Sequence, residues 1–199
     1  MVGLKQNLLK ISQQGQRVFA IITDMLAHAH ARTGTRMPTE LNALVAEALA
    51  RAYQGLRVQG PAFHATLVQD FTPNLAPVVV VPSDLTRVLI NLCTNALCLM
   101  RQQEAAAVAT YQPIVTVSTR QTAAGAVEIR VRDNGMDMPE RIREKIFQPF
   151  FTTRPMGEGE GPGLSLSHEI VTKCHGGTLA VESEEGENTE FIISLPPGG

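Results

Sequence analysis

Two asparagines, Asn91 and Asn95, stand four residues apart in an otherwise apolar stretch. Four residues is close to one helical turn, so both amides project from nearly the same side. A buried amide without a hydrogen bond costs a few kcal/mol, so either local structure satisfies the pair or a polar ligand sits over that face. Further along, Asp133, Asn134 and Gly135 follow a β-branched run. A tight turn using Gly at positive φ accounts for that string. So does a carboxylate at a strand end that accepts a hydrogen bond from the exocyclic amine of an adenine, with Gly135 letting the base come close. Finally, Gly159, Gly161 and Gly163 alternate just before Leu164, Leu166, Ile170 and Val171, which have helical spacing. A glycine-rich loop feeding a helix start offers bare amides and a positive dipole end to phosphate oxygens.

These groups need elements to hold them. Pro82 and Ser83 open a predicted helix whose buried side is Leu85, Val88, Leu89, Leu92, Ala96 and Leu99, with Ser83 accepting a bond from an orphan first-turn amide. A helix begun at Pro38 and Thr39 carries Leu41, Leu44, Val45, Ala48 and Leu49 on a stripe wide enough to face a sheet. Segments 65–70, 114–119, 127–131, 178–181 and 191–195 read as strands of one mixed sheet. Residues 151–162, rich in Gly, Pro and charge, have the composition of a mobile lid. Ahead of all these, Leu4, Leu8, Ile11, Gly15, Val18, Ile22 and Met25 recur in steps of four and three, a heptad seam that buries one stripe against partner helices. The expected organisation is that helix over 1–34 and one α/β domain over 35–199.

Composition narrows the function. Lys plus Arg number 17 against 19 Asp plus Glu, so no excess basic field draws the chain onto nucleic acid or anionic lipid. Cys93, Cys98 and Cys174 lack the paired spacing of zinc or redox motifs and read as inert thiols in a reducing compartment. The longest apolar run, 76–81, is interrupted by Pro77 and falls far short of the about 20 residues of a spanning helix. No stretch reads as a signal peptide.

The order of the motifs is more telling than any one of them. The chain resembles the histidine-kinase branch of the superfamily that also contains DNA gyrase, the heat-shock chaperone ATPases and the MutL mismatch-repair proteins. NLCTNA (91–96) is similar to the N box, DNGMDMP (133–139) to the first glycine box, IFQPFFTT (146–153) to the F box and GEGEGPGLSLS (157–167) to the second glycine box. Residues 175–196 resemble the last strands of that domain, and 4–31 the second helix of the dimerisation hairpin. The resemblance implies a two-layer α/β sandwich of the Bergerat type, a mixed sheet backed by three helices, preceded by one long helix. It implies ATP and Mg²⁺ as cofactors. Asn95 would hold the metal with Asn91 supporting it, Asp133 would select adenine, and Thr189 would buttress Asp133 or a water beside it. Phe147, Phe150 and Phe151 would anchor the lid, and Gly135, Asp137, Thr153, Gly159, Gly161, Gly163 and Leu164 would complete the nucleotide surface. A bacterial, cytoplasmic setting is implied as well. The partners would be a response regulator receiver domain and a second copy met through the N-terminal helix, with neither nucleic acid nor membrane touched by this segment.

Asn91 refines the expected reaction. ATP-hydrolysing branches resemble one another in carrying a glutamate there to activate water, whereas an amide takes no proton near neutral pH. The implied reaction is therefore γ-phosphoryl transfer to a histidine. The family's acceptor string, His-Glu or His-Asp followed by Pro, does not precede the seam helix, so the acceptor is expected outside this chain; His28 and His30 read as helix-end residues. Asp137 and Asn188 stand where the family usually has Gly, Glu160 where it often has Thr, Pro162 where it often has Leu, and Cys98 where many relatives are basic. Asp and Asn tolerate positive φ best among non-glycines, which would preserve the turns. Glu160 adds charge that repels a triphosphate, and Pro162 removes an amide. These departures define a second reading, a dimerising scaffold or phosphotransfer partner of a response regulator whose loops no longer hold ATP productively.

Overall fold

The computed structural model describes residues 34–59, 63–106, 111–135, 138–149, 151, 163–184 and 188–197. The seam helix, nearly all of the lid, and the candidate residues Asp137, Phe150, Thr153, Gly159 and Gly161 lie outside the described residues. In chain order the elements are β1 (Met37–Thr39), α1 (Leu41–Gln59), β2 (Thr66–Phe71), β3 (Val78–Val80), α2 (Pro82–Ala106), β4 (Ile114–Gln121) and β5 (Val127–Asp133). They continue with α3 (Glu140–Arg143), α4 (Gly163–Glu169), a π-helical turn (Ile170–Cys174), β6 (Thr178–Glu184) and β7 (Asn188–Leu195).

The five-stranded sheet runs β2-β4-β5-β7-β6, with β2 parallel to β4 and every other pair antiparallel. Strand periodicity sends Val115 and Val117, Ile129 and Val131, and Phe191, Ile193 and Leu195 to one face, where all are buried. The helices cover that face with stripes at helical spacing: Leu41, Val45, Ala48, Leu49, Ala52 and Leu56 from α1, and Leu85, Val88, Leu89, Leu92, Ala96 and Met100 from α2. The mixed sheet and single helix layer agree with the predicted sandwich; α1 and α2 are long, and the third helical segment is the shorter α4 continued by the π-helical turn. None of the described helices is long and apolar enough to cross a membrane.

Three local expectations are corrected. Met37–Thr39 is not a helix start but a strand, paired antiparallel with Val78–Val80 in a separate two-stranded sheet. Pro38 is tolerated there because such a ribbon is all edge. Leu99 is half-buried, and Met100 takes the fully buried place. Ser83 does not cap α2; it lies within the first turn and is exposed. Pro82 occupies the first helical position, where its missing N–H is no loss. The Val81 carbonyl instead accepts from Leu85 N at 3.1 Å, and Val81 N donates to Nε2 of His175 at 3.0 Å. Because Nε2 accepts, Nδ1 carries the proton and donates to the Ile170 carbonyl at 3.0 Å, fixing a neutral tautomer in a buried imidazole.

Thr119 ties the edge of the sheet to α1. Fully buried, it donates to Asn42 Oδ1 at 2.7 Å and accepts from Thr72 N at 3.1 Å, while Asn42 Nδ2 donates to the Thr72 carbonyl at 2.9 Å. Thr119→Val keeps the shape but strands Asn42 Oδ1, so the variant is expected to lose about 1–2 kcal/mol of stability. Urea unfolding measures this, and an unchanged midpoint would remove the cluster from the account of the fold.

Candidate functional site

Asp133 ends β5 and is 1% exposed. Its Oδ1 accepts from Gly135 N at 2.9 Å, while Oδ2 is buried with no hydrogen-bond partner among the described residues. Burial pushes this carboxyl up to about 7, and the Gly135 N–H pulls weakly the other way. A buried acceptor left empty is costly, and native structures keep such groups where something else is to be bound.

Gly135 takes no left-handed φ here. Glycine is required because a Cβ would stand 2.7 Å from Asp133 Oδ1 and 3.2 Å from the Met100 amide nitrogen, so the turn is pressed against α2. Asn134, named in the sequence only as part of that turn, is its fastener. Its Oδ1 accepts from Ile114 N at 2.8 Å and from the Tyr111 hydroxyl at 3.2 Å, and its Nδ2 donates to the Gln112 carbonyl at 2.8 Å. Burial, with the charges of Asp133 and Glu104, pushes the Tyr111 phenol well above its usual value, so it stays a neutral donor.

Nine residues back along α2 from Met100, about 13 Å of helix, Asn91 meets the second glycine box. Its Nδ2 donates to Ser167 Oγ at 2.9 Å, and Ser167 Oγ donates to the Gly163 carbonyl at 2.8 Å. A Cβ on Gly163 would overlap Asn91 Oδ1. Asn95 lies between these two contacts on the same helix and is half-buried. Leu164 is half-buried in the first turn of α4 and packs against the core.

Thr189 is fully buried and stands opposite Asp133 in the β5–β7 ladder. Ser183 Oγ gathers this corner: it donates to the Asn188 carbonyl at 2.9 Å, accepts from Met138 N at 2.8 Å and lies 3.2 Å from Thr189 Oγ1. Asn188, expected at a turn in positive φ, is instead the extended first residue of β7; among the described non-glycine residues only Asn74 has positive φ. Phe147 stacks on His168, ring centroids 5.2 Å apart, so the segments on either side of 152–162 touch. His168 carried no role in the sequence reading, since nothing in its neighbours signals a ring partner 21 positions away. Cys98, where the resemblance implied a basic residue, is a buried thiol.

Asp133, Gly135, Asn95, Asn91 and Gly163 are thus strung along or against one helix, α2. A cavity of about 250 Å³, lined by Ile114, Thr116, Arg132, Asp133, Asn134 and Asn188, shares Asp133 with that string but includes neither asparagine of α2.

Comparison with known proteins matches residues 80–199 to the family described as histidine kinase-, DNA gyrase B-, and HSP90-like ATPase. The chain belongs to this ATPase family. Sensor histidine kinase ZraS of Escherichia coli K12 is 29% identical over 188 residues, 94% of this chain and 36% of ZraS. Two-component sensor PprA of Pseudomonas aeruginosa is 31% identical over 194 residues, 97% of this chain and 20% of PprA. The chain therefore spans well under half of either relative. Among solved structures, the catalytic domain of histidine kinase ThkA in a nucleotide-free form is similar with a TM-score of 0.65 and 25% identity, covering 81% of this chain and 95% of that one. The region of the family match begins at Val80, just before α2, and contains all four boxes.

Proposed function

We propose that this chain is the Mg²⁺-ATP-binding catalytic portion of a two-component sensor histidine kinase, acting on a histidine carried by a helix outside the segment. The observation that carries the reading is the empty, buried Oδ2 of Asp133 beside a glycine pressed onto α2. An ionised carboxylate there suits the exocyclic amine of adenine as donor. From that end the triphosphate would run along α2 past Asn95 to the start of α4, where Gly163 presents the first turn of a helix. The nucleotide supplies the transferable phosphoryl group, with Mg²⁺ neutralising its charge. The chain's own residues bind and orient it: Asp133 reads the base, Asn95 offers a neutral carbonyl to the metal, and Gly163 and Leu164 close the phosphate end.

Asn91 supports transfer over hydrolysis. Its amide is engaged with Ser167 and takes no proton near neutral pH, so no side chain at that position activates water. We place residues 1–34 as part of a dimerisation hairpin and 35–199 as the catalytic domain, working in the bacterial cytoplasm on a response regulator's behalf.

Calorimetric titration with Mg²⁺-ATP tests the reading. Binding, with thermal stabilisation that grows with nucleotide concentration, is expected. No heat and no stabilisation at millimolar nucleotide would favour the scaffold reading, to which the buried Cys98 thiol in place of a basic residue lends its one structural support. Asn95→Asp adds a carboxylate beside the triphosphate, and roughly tenfold slower phosphoryl transfer is expected, read with a supplied acceptor hairpin. Equal rates would sink the metal assignment.

A further inference from the structure

Ser167 ends the second glycine box, where the sequence reading gave it no role, and is 2% exposed, yet its one hydroxyl has two partners. A serine that bonds the carbonyl four residues back is a common local arrangement within a helix. The second partner is not local, since Asn91 is 76 positions away on α2. A carbonyl can only accept, so the hydroxyl proton is committed to Gly163. What faces the oxygen's lone pairs must then be a donor, and Asn91 is obliged to present its NH₂ there. That obligation leaves Asn91 Oδ1 turned onto the Gly163 backbone, in the place a Cβ would occupy.

We infer that Ser167 is a positioning residue for the nucleotide site: it fixes which way the Asn91 amide points and, through the same oxygen, ties the first turn of α4 to the asparagine helix. The inference rests on the Mg²⁺-ATP reading above and gives a role to a residue that the glycine box includes without assigning one. Without the hydroxyl, the amide of Asn91 is free to reverse, and the Gly163 end of α4 loses its anchor to α2.

The test is calorimetry of Mg²⁺-ATP binding by the 199-residue chain and its Ser167→Ala, Ser167→Thr, Asn91→Ala and Asn91→Ala/Ser167→Ala variants. Ser167→Ala is expected to bind roughly three- to tenfold more weakly, Ser167→Thr to regain affinity by restoring the hydroxyl, and the double variant to bind no more weakly than Asn91→Ala. A merely packing role would lower the nucleotide-free unfolding midpoint while leaving the Kd of Ser167→Ala at the wild-type value, and that result overturns the inference while ATP binding stands. Additive losses in the double variant overturn it too. If the wild-type chain itself takes up no Mg²⁺-ATP, both the nucleotide reading and this inference fall, a result distinguishable from the other two by the wild-type titration alone.

Discussion

Asp133→Asn is expected to bind ATP at least tenfold more weakly and to lose most of its preference over GTP. On the proposed reading the carboxylate accepts from an adenine amine in a charge-assisted bond, worth about 1.5–3 kcal/mol, and repels the carbonyl that guanine carries instead. An amide there offers NH₂, which disfavours adenine and favours guanine together. Parallel Kd measurements for the two nucleotides decide it, and an unaltered ratio would dispose of the base-reading role. The same substitution has a pH signature in the nucleotide-free protein. The folded carboxyl is raised from 3.8 to about 7, so folding favours the protonated form. Stability from this residue is therefore fully present below about 3.8 and is lost as pH rises through about 7. Asp133→Asn removes that loss but leaves an unpaired neutral NH₂, so a gain of about 1–2 kcal/mol at pH 8.5 that shrinks or reverses at pH 5 is expected from unfolding midpoints. Equal gains at both pH values would mean the carboxyl does not titrate there.

Gly163→Ala is expected to leave the fold standing and to weaken Mg²⁺-ATP binding by roughly thirtyfold. The added methyl would overlap Asn91 Oδ1, the far end of a side chain that can swing away. Alanine is also the better helix former, by at most about 1 kcal/mol at this first helical position, which offsets the lost Asn91 contact, so the nucleotide-free unfolding midpoint is expected to change little. The displaced amide, however, forfeits its bond to Ser167 and its seat on the Gly163 backbone, two interactions of about 1 kcal/mol each. Adding Asn91→Ala makes room for the methyl but restores no affinity. Wild-type affinity in Gly163→Ala would show that the Asn91 contact is incidental to the nucleotide.

The parts of the fold that could be read from the chain are those where one periodicity dominates. Leu85, Val88, Leu89 and Leu92 mark a buried helix face wherever the sheet lies, and Val127, Ile129 and Val131 mark a strand wherever its neighbours are. What could not be read depends on partners distant in sequence. Ser83 offered a capping side chain, but nothing near Val81 announces that His175 receives its N–H. Met37–Thr39 is only three residues long and becomes a strand because Val78–Val80 pairs with it. Asn188 sits where a turn glycine is usual, yet pairing with Glu184 draws it into β7. At the candidate site, residue types and order single out Asp133, Gly135, Asn91 and Gly163 as candidates. That Gly135 and Gly163 are glycines because α2 crowds them, not because of φ, is visible only once the helix is in place.

The imidazole that receives Val81 N–H stands 94 residues later in the chain. As the polypeptide leaves the ribosome, α2 emerges with both asparagines long before His175 does, and until then only solvent answers the amide at its start. Pairing so distant makes assembly slow and concentrates it late in synthesis. On the proposed reading, the nucleotide site therefore takes shape only after β6 and β7 have been made and have joined the sheet.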